Sequence, residues 1–339
     1  MVVRTHIFLI ALPLLAPHQI SAQQLDPAAL QAAARYSGSH GGTSFLVIQS
    51  GKTLLEEYPV DRNPGIARRI YSGTKAFWGL AALAAAEDGL IKLDERVADT
   101  IPAWQNDPRK SRITIRQLLD FSCGLAPGFS LHNRDPGDRD AIAIRLPVVT
   151  EPETAFIYGP SALQVFHYVL KNKLHGQTPQ TYLERRVLRR LGLGSQRYLL
   201  DRAGNPLLAA GWQLTARQWA KLGQVVLKGG APIVSASSLE QCWRGSATNP
   251  AFAFGWWNNR AAPGGHEFDF EKMLNGQWSN QTWREACLCR DAPNDLVACI
   301  GSGYQRLFVI PSLKLIVVRH SRGGPFSDAR FLRLILGRE

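Results

Sequence analysis

Ser72 and Lys75 stand three residues apart in Ile70-Tyr71-Ser72-Gly73-Thr74-Lys75-Ala76-Phe77, at the head of an apolar run. On a helix, residues three apart share one face. A hydroxyl in the first turn lies where unpaired backbone N–H groups and the helix dipole favour developing negative charge. A lysine among apolar neighbours is poorly solvated when charged, so its pKa falls and a neutral amine becomes available as a base. The pair is sufficient to turn a hydroxyl into a nucleophile. It is not specific by itself, because twenty serines and ten lysines in the chain supply about 0.6 such pairs by chance. Serine is also a favoured helix N-cap.

Other chemistry is poorly represented. There is no G-x-S-x-G elbow, no phosphate loop and no His-rich metal helix. His320, at a strand end, has no evident nucleophile partner and reads as structural or surface. His266, in Pro263-Gly264-Gly265-His266, reads as part of a loop between strands and is not expected to line the pocket. Five cysteines, Cys123, Cys242, Cys287, Cys289 and Cys299, are too few for a disulfide scaffold. An oxidising compartment permits one or two bridges, with a cross-strand pair open to Cys287 or Cys289 and Cys299. No paired Cys/His spacing accompanies them, so zinc is not expected. Neither a cofactor nor a metal is called for.

The elements that must position the serine and lysine follow from pattern. Thr43–Ile48 and Thr53–Tyr58 flank Ser50-Gly51-Lys52, a hairpin signal. A helix is predicted over Ser72–Glu87, apolar nearly all round and hence interior, with Gly89 as a C-cap. Helical spacing recurs at Thr114–Phe121, behind a capping threonine, and at Leu163–Leu174 and Ala216–Lys228. After Ala251 the period turns to strands: Ala251–Trp257, Leu296–Ile300, Arg306–Ile310 and Leu315–His320, closed by a helix over Phe326–Leu336. Phe252, Phe254, Trp256 and Trp257 read as core. The fold class is α/β (α+β): an antiparallel sheet built from both chain ends, about 23–95 and 231–339, with a mostly helical insertion over about 96–230.

Residues 1–22 read as a signal peptide: basic Met1–Arg4, apolar Ile7–Ala16 and the small-residue site Ile20-Ser21-Ala22. They predict a periplasmic or secreted protein. The net charge of +12 favours cell-wall or anionic membrane surfaces. Nucleic acid is not an expected partner, because the basic residues, such as Arg185, Arg186, Arg189 and Arg190, are not interleaved with stacking aromatics.

Over most of its length the sequence resembles the serine β-lactamase and penicillin-binding-protein superfamily. The likeness is to the class C β-lactamase branch with its esterase and 6-aminohexanoate-dimer-hydrolase-like relatives. Ser72-Gly73-Thr74-Lys75 is followed in order by Glu87–Trp104, Ile113–Leu125, Phe156–Phe166, Ala210–Gly230 and Cys299–Arg319. The resemblance implies a β-lactamase/transpeptidase-like fold, an acylated Ser72, Lys75 as its partner and Tyr158 as the acid/base of a second motif. The third motif maps onto Cys299-Ile300-Gly301. It implies an oxyanion hole from the backbone N–H groups of Ser72 and Ser302, with Gly301 and Gly303 both open for the glycine role. Two departures stand out: Pro160 replaces an asparagine two residues after the tyrosine, and Cys299 replaces a lysine or histidine. Both weaken the expected grip on a β-lactam and leave the nucleophile machinery intact. The expectation is a hydrolase of a small-molecule ester or amide. The rivals are a D-amino-acid amidase or DD-carboxypeptidase, a weak β-lactamase, and a non-catalytic homologue that binds cell-wall fragments or another ligand.

Overall fold

Strand runs from both chain ends pair into one antiparallel sheet of seven strands in the computed structural model, which describes residues 24–259 and 265–339. The expected signal peptide lies outside the described residues. The strands are β1 (Gly42–Gln49), β2 (Lys52–Glu57), β3 (Phe252–Ala253), β4 (Trp256–Asn258), β5 (Val297–Gly301), β6 (Gln305–Ile310) and β7 (Leu315–Ser321). Their order across the sheet is β2-β1-β7-β6-β5-β4-β3. Alternation along the central strands divides the side chains between two faces. Phe45, Arg319 and Arg306 sit opposite one another on one face, and Leu46, Val318 and Leu307 on the other.

The helices used below are α1 (Pro27–Ser39), α2 (Thr74–Glu87), α3 (Ile115–Leu119), α4 (Arg139–Arg145), α5 (Ser161–Lys173), α6 (Ala216–Leu227), α7 (Phe270–Asn275) and α8 (Asp328–Ile335). The terminal helices α1 and α8 cover the first face, with Phe331 on the rings of Phe45 and Phe308. Arg306, fully buried, clamps Asp328 at the head of α8 through two bonds of 2.7 and 3.0 Å. A planar fork on a carboxylate fixes direction as well as distance. On the opposite face α6 lies against β6 and β7, where Gly223 leaves room for Ile316 and Val309. The sheet layer thus takes in a helix from the stretch expected as insertion. No helix among the described residues is long and apolar enough to cross a membrane.

The elements differ from expectation where a single residue turns the chain. Ala251–Trp257 is not one strand but the tight hairpin β3–β4, because Phe254 and Gly255 both take positive φ, 52° and 83°. α3 stops at Leu119, since Phe121 adopts φ 58°. Its start is as predicted: Thr114 and Gln117 form a reciprocal capping box. α2 begins at Thr74, after a single 3-10 turn over Tyr71–Gly73. Gly89, at φ 73°, follows its last turn.

α2 is buried from Thr74 to Ala85, and two glycines let its backbone meet the β3–β4 hairpin. A Cβ on Gly79 would stand 1.9 Å from the Phe254 carbonyl oxygen, and one on Gly255 would stand 2.5 Å from the Lys75 carbonyl carbon. In an ordinary helix Gly→Ala gains about 1 kcal/mol. Here overpacking against backbone costs about 1–3 kcal/mol and outweighs that gain. Gly79→Ala therefore lowers the urea midpoint of unfolding, and a raised midpoint would show that helix and hairpin are not in contact.

Candidate active site

The turn that carries Ser72 is held on both sides by backbone. Ile70 N–H donates to the Trp212 carbonyl at 3.0 Å, next to a short ladder joining Arg68–Arg69 to Gln213–Leu214. On its other side β5 comes so close that a Cβ on Gly301 would lie 2.0 Å from the Ile70 oxygen. Tyr71 takes φ 45° and Thr74 Oγ1 donates to its carbonyl at 2.7 Å. A non-glycine residue in that region is strained and persists only where its surroundings over-determine it. Here the strain falls immediately before Ser72.

Lys75 Nζ lies 2.9 Å from Ser72 Oγ and donates to the Ala209 carbonyl at 2.8 Å. Lys75 is 2% exposed, and no carboxylate pairs with it among the described residues. Burial lowers its pKa from the usual lysine range to about 7, since desolvation penalises the charged form. Its ammonium end sits 4.8 Å from the centre of the Tyr158 ring. Burial pushes the Tyr158 phenol well above the ordinary value. The ring is set by Phe121, Phe252 and Trp257 at centroid distances of 5.3, 6.0 and 6.2 Å. The structure thus brings Ser72, Lys75 and Tyr158 together.

The third motif is split by strand alternation. Ile300 and Ser302 line the cleft, whereas Cys299 points the other way. Its Sγ donates to the Gly73 carbonyl at 3.2 Å, its side chain is fully buried, and burial pushes the thiol up to about 12. Cys299 therefore lies behind the Ser72 turn and, contrary to expectation, does not line the cleft. The two glycines have separate reasons: Gly301 admits the Ile70 carbonyl, and Gly303 supplies φ 72° in the β5–β6 turn. All five cysteines are free and buried, so the cross-strand bridge left open by the sequence is not formed.

The cleft encloses about 400 Å³. Besides the residues above, it is lined by Tyr71, Ala210 and Gly159, by Phe129 and His132 of one segment, and by Phe270, Glu271, Leu274 and Asn275 of α7. Phe129, His132 and the α7 residues were not singled out from the sequence. Arg139 braces the segment that carries His132. Its buried guanidinium donates to the Leu131 and Asn133 carbonyls, each at 2.9 Å, and so brackets His132. Pro160 ends the chain's approach to α5 as its N-cap.

His320 is structural, fully buried, 2.7 Å from Ser44 Oγ and stacked on Trp219. His266 borders a different, neighbouring hollow. Glu267, Cys289 and Asp291 gather ligand atoms within 4.8 Å, but Arg333 already donates to both carboxylates.

A family model described as Beta-lactamase matches residues 27–336. The chain belongs to the beta-lactamase family. A curated relative, the acyltransferase calJ of Penicillium decumbens, is 28% identical over 155 residues, 38% of this chain and 37% of that protein. The match therefore spans little more than a third of that relative. Among solved structures, the octameric penicillin-binding protein homologue of Pyrococcus abyssi superposes with a TM-score of 0.66 at 17% identity, over 92% of this chain and 77% of its own. A family VIII carboxylesterase gives 0.64 at 18%, over 91% and 95%. The fold of this beta-lactamase family member is thus the β-lactamase/transpeptidase-like one.

Burial of Lys75 is unfavourable for the folded state below the pH at which it sheds its proton. The unfolded chain keeps that proton up to about pH 10.4, so the unfolded state binds more protons between about 7 and 10.4 and stability rises with pH there. Lys75→Met removes the penalty. At pH 6 it raises unfolding free energy by about 1–3 kcal/mol after the lost hydrogen bond to Ala209 is allowed for, and the difference shrinks by pH 9.5. Urea titrations at the two pH values check this.

Proposed function

We propose that the protein is an exported serine hydrolase that cleaves a small ester or amide through an acyl-enzyme. The observation that carries this is a buried amine, free of any counter-charge among the described residues, 2.9 Å from a hydroxyl at the floor of a cleft. Family membership and the esterase and amidohydrolase relatives of the same fold support it. Export rests on residues 1–22 of the sequence alone.

Neutral Lys75 accepts the Ser72 proton as Oγ attacks the substrate carbonyl carbon. The backbone N–H groups of Ser72 and Ser302 receive the oxyanion of the tetrahedral intermediate. Collapse breaks the bond to the leaving alcohol or amine. That group takes a proton from the Tyr158 phenol, which is recharged from the Lys75 ammonium. A raised phenol pKa suits this role, because Tyr158 then meets the leaving group protonated. Water repeats the sequence on the acyl-enzyme and releases the acid. With Pro160 and Cys299 where amide- and carboxylate-holding side chains are usual in β-lactamases, β-lactams are poor substrates.

A fluorophosphonate probe with peptide mapping tests the nucleophile. Label on Ser72 is expected and is lost in Ser72→Ala, with turnover of p-nitrophenyl butyrate falling at least about 10³-fold. No label and no turnover of any activated ester would instead mean a binding protein. Initial rates on short p-nitrophenyl esters, D-amino-acid amides and nitrocefin separate the hydrolase readings, and turnover of the amides alone would replace esterase by amidase.

The base requires the unprotonated amine. For the ester, kcat/KM therefore rises with pH to a plateau with its midpoint near 7, the value to which burial lowers Lys75. A flat profile from pH 5 to 9 would remove Lys75 from that role. Lys75→Arg, protonated at every accessible pH, is inactive throughout.

A further inference from the structure

The cleft carries an imbalance of charge that the reaction itself does not need. Glu271 lines one wall. Both of its internal contacts end on Oε1, which accepts from Tyr304 N–H at 3.0 Å and lies 3.4 Å from Arg306 Nη1. That arginine is committed elsewhere, through its two shorter bonds to Asp328. Asp328, Arg306 and Glu271 together therefore keep one negative charge. The next residue, Lys272, borders a separate hollow with Asp269 and Arg330.

The remaining lining side chains do not offset Glu271. Lys75 reacts as the neutral amine, Tyr158 is protonated, and imidazole at His132 is uncharged above about pH 7. The same cleft is lined by two aromatic rings whose exposure is unusual: Phe129 at 58% and Tyr71 at 38% are among the large apolar side chains left open to solvent. A carboxylate and bare aromatic rings lining one cleft are the chemistry that recognises an ammonium group, by charge and by cation–π attraction. The chain's net +12 does not contradict this, because dispersed surface charges are screened beyond about 8 Å in physiological salt.

We propose that Glu271, with Phe129 and Tyr71, makes the cleft selective for acyl donors bearing an ammonium group and against those bearing a carboxylate. This rests on Ser72 being the nucleophile, and Glu271 acts as a specificity-determining residue rather than in the chemistry.

The test uses p-nitrophenyl esters of phenylacetic acid with a para trimethylammonium, tert-butyl or carboxylate group, the first two being near-isosteres. Comparing wild type with Glu271→Gln cancels the intrinsic reactivity of each ester. The ratio of kcat/KM for the trimethylammonium ester to that for the tert-butyl ester is expected to fall about tenfold in Glu271→Gln, and the ratio for the carboxylate ester to rise by a similar factor. Ratios equal within twofold in the two proteins overturn the proposal.

Binding separates this outcome from a failure of the nucleophile. The amides of the trimethylammonium and tert-butyl acids are titrated calorimetrically into the Ser72→Ala protein, with and without Glu271→Gln. Tighter binding of the cationic amide, lost in the double variant, upholds the site whatever becomes of Ser72. Equal binding of the two amides overturns it even where Ser72-dependent turnover is seen.

Discussion

An amine with no counter-ion among the described residues, sealed beneath a hydroxyl, is the demand the rest of the molecule meets. Water would stabilise the charged form of Lys75, and enclosure of α2 from Thr74 to Ala85 withholds it. Enclosure on every side explains why this helix carries alanines where a surface helix carries charges, and why its neighbours approach through glycine. The hairpin β3–β4, the strand β5 and the Trp212–Leu214 segment reach it largely through main chain, which excludes solvent without adding a polar side chain that could re-ionise the amine.

The same demand accounts for the sheet. β5 can stand beside the Ile70 carbonyl only if the sheet is fixed relative to α2. α6 fixes it from one face, with Gly223 set against Ile316 and Val309. From the other face, Arg306 ties β6 to the closing helix through Asp328. Elements from both ends of the chain thus converge on the cleft at Ser72. That is the reason the strands flank the helical stretch in sequence.

Much of this was readable before any coordinates. The periodic segments gave α2, α5, α6, α8 and the central strands to within a residue or two, because packing there agrees with local preference, whereas the thirteen-residue α1 was not read from the sequence. Ser72, Lys75 and Tyr158 stood out by type, spacing and resemblance. What escaped notice depended on single backbone angles and on which way a side chain points. Phe254 and Phe121 adopt positive φ against their residue type, so a strand and a helix end earlier than their apolar runs suggest. Cys299 and Ile300 are neighbours in sequence, yet pleating sends one behind the nucleophile and the other into the cleft. Phe129, His132 and Glu271 belong to irregular or short segments, where composition says nothing about orientation. Arg139 was visible as a charge, and nothing in the pattern announced that it would be buried and committed to carbonyl groups.

The way the cleft walls are hung has a consequence for how such a molecule diverges. The floor is locked by main-chain approaches that tolerate no added Cβ at Gly79, Gly255 or Gly301. The walls, in contrast, are side chains on a loop braced by one arginine and on a six-residue helix. Substitutions drifting through those two segments can re-tailor what is admitted while the reactive centre stays as it was. Descendants of one ancestor could therefore acquire new diets without passing through a dead intermediate.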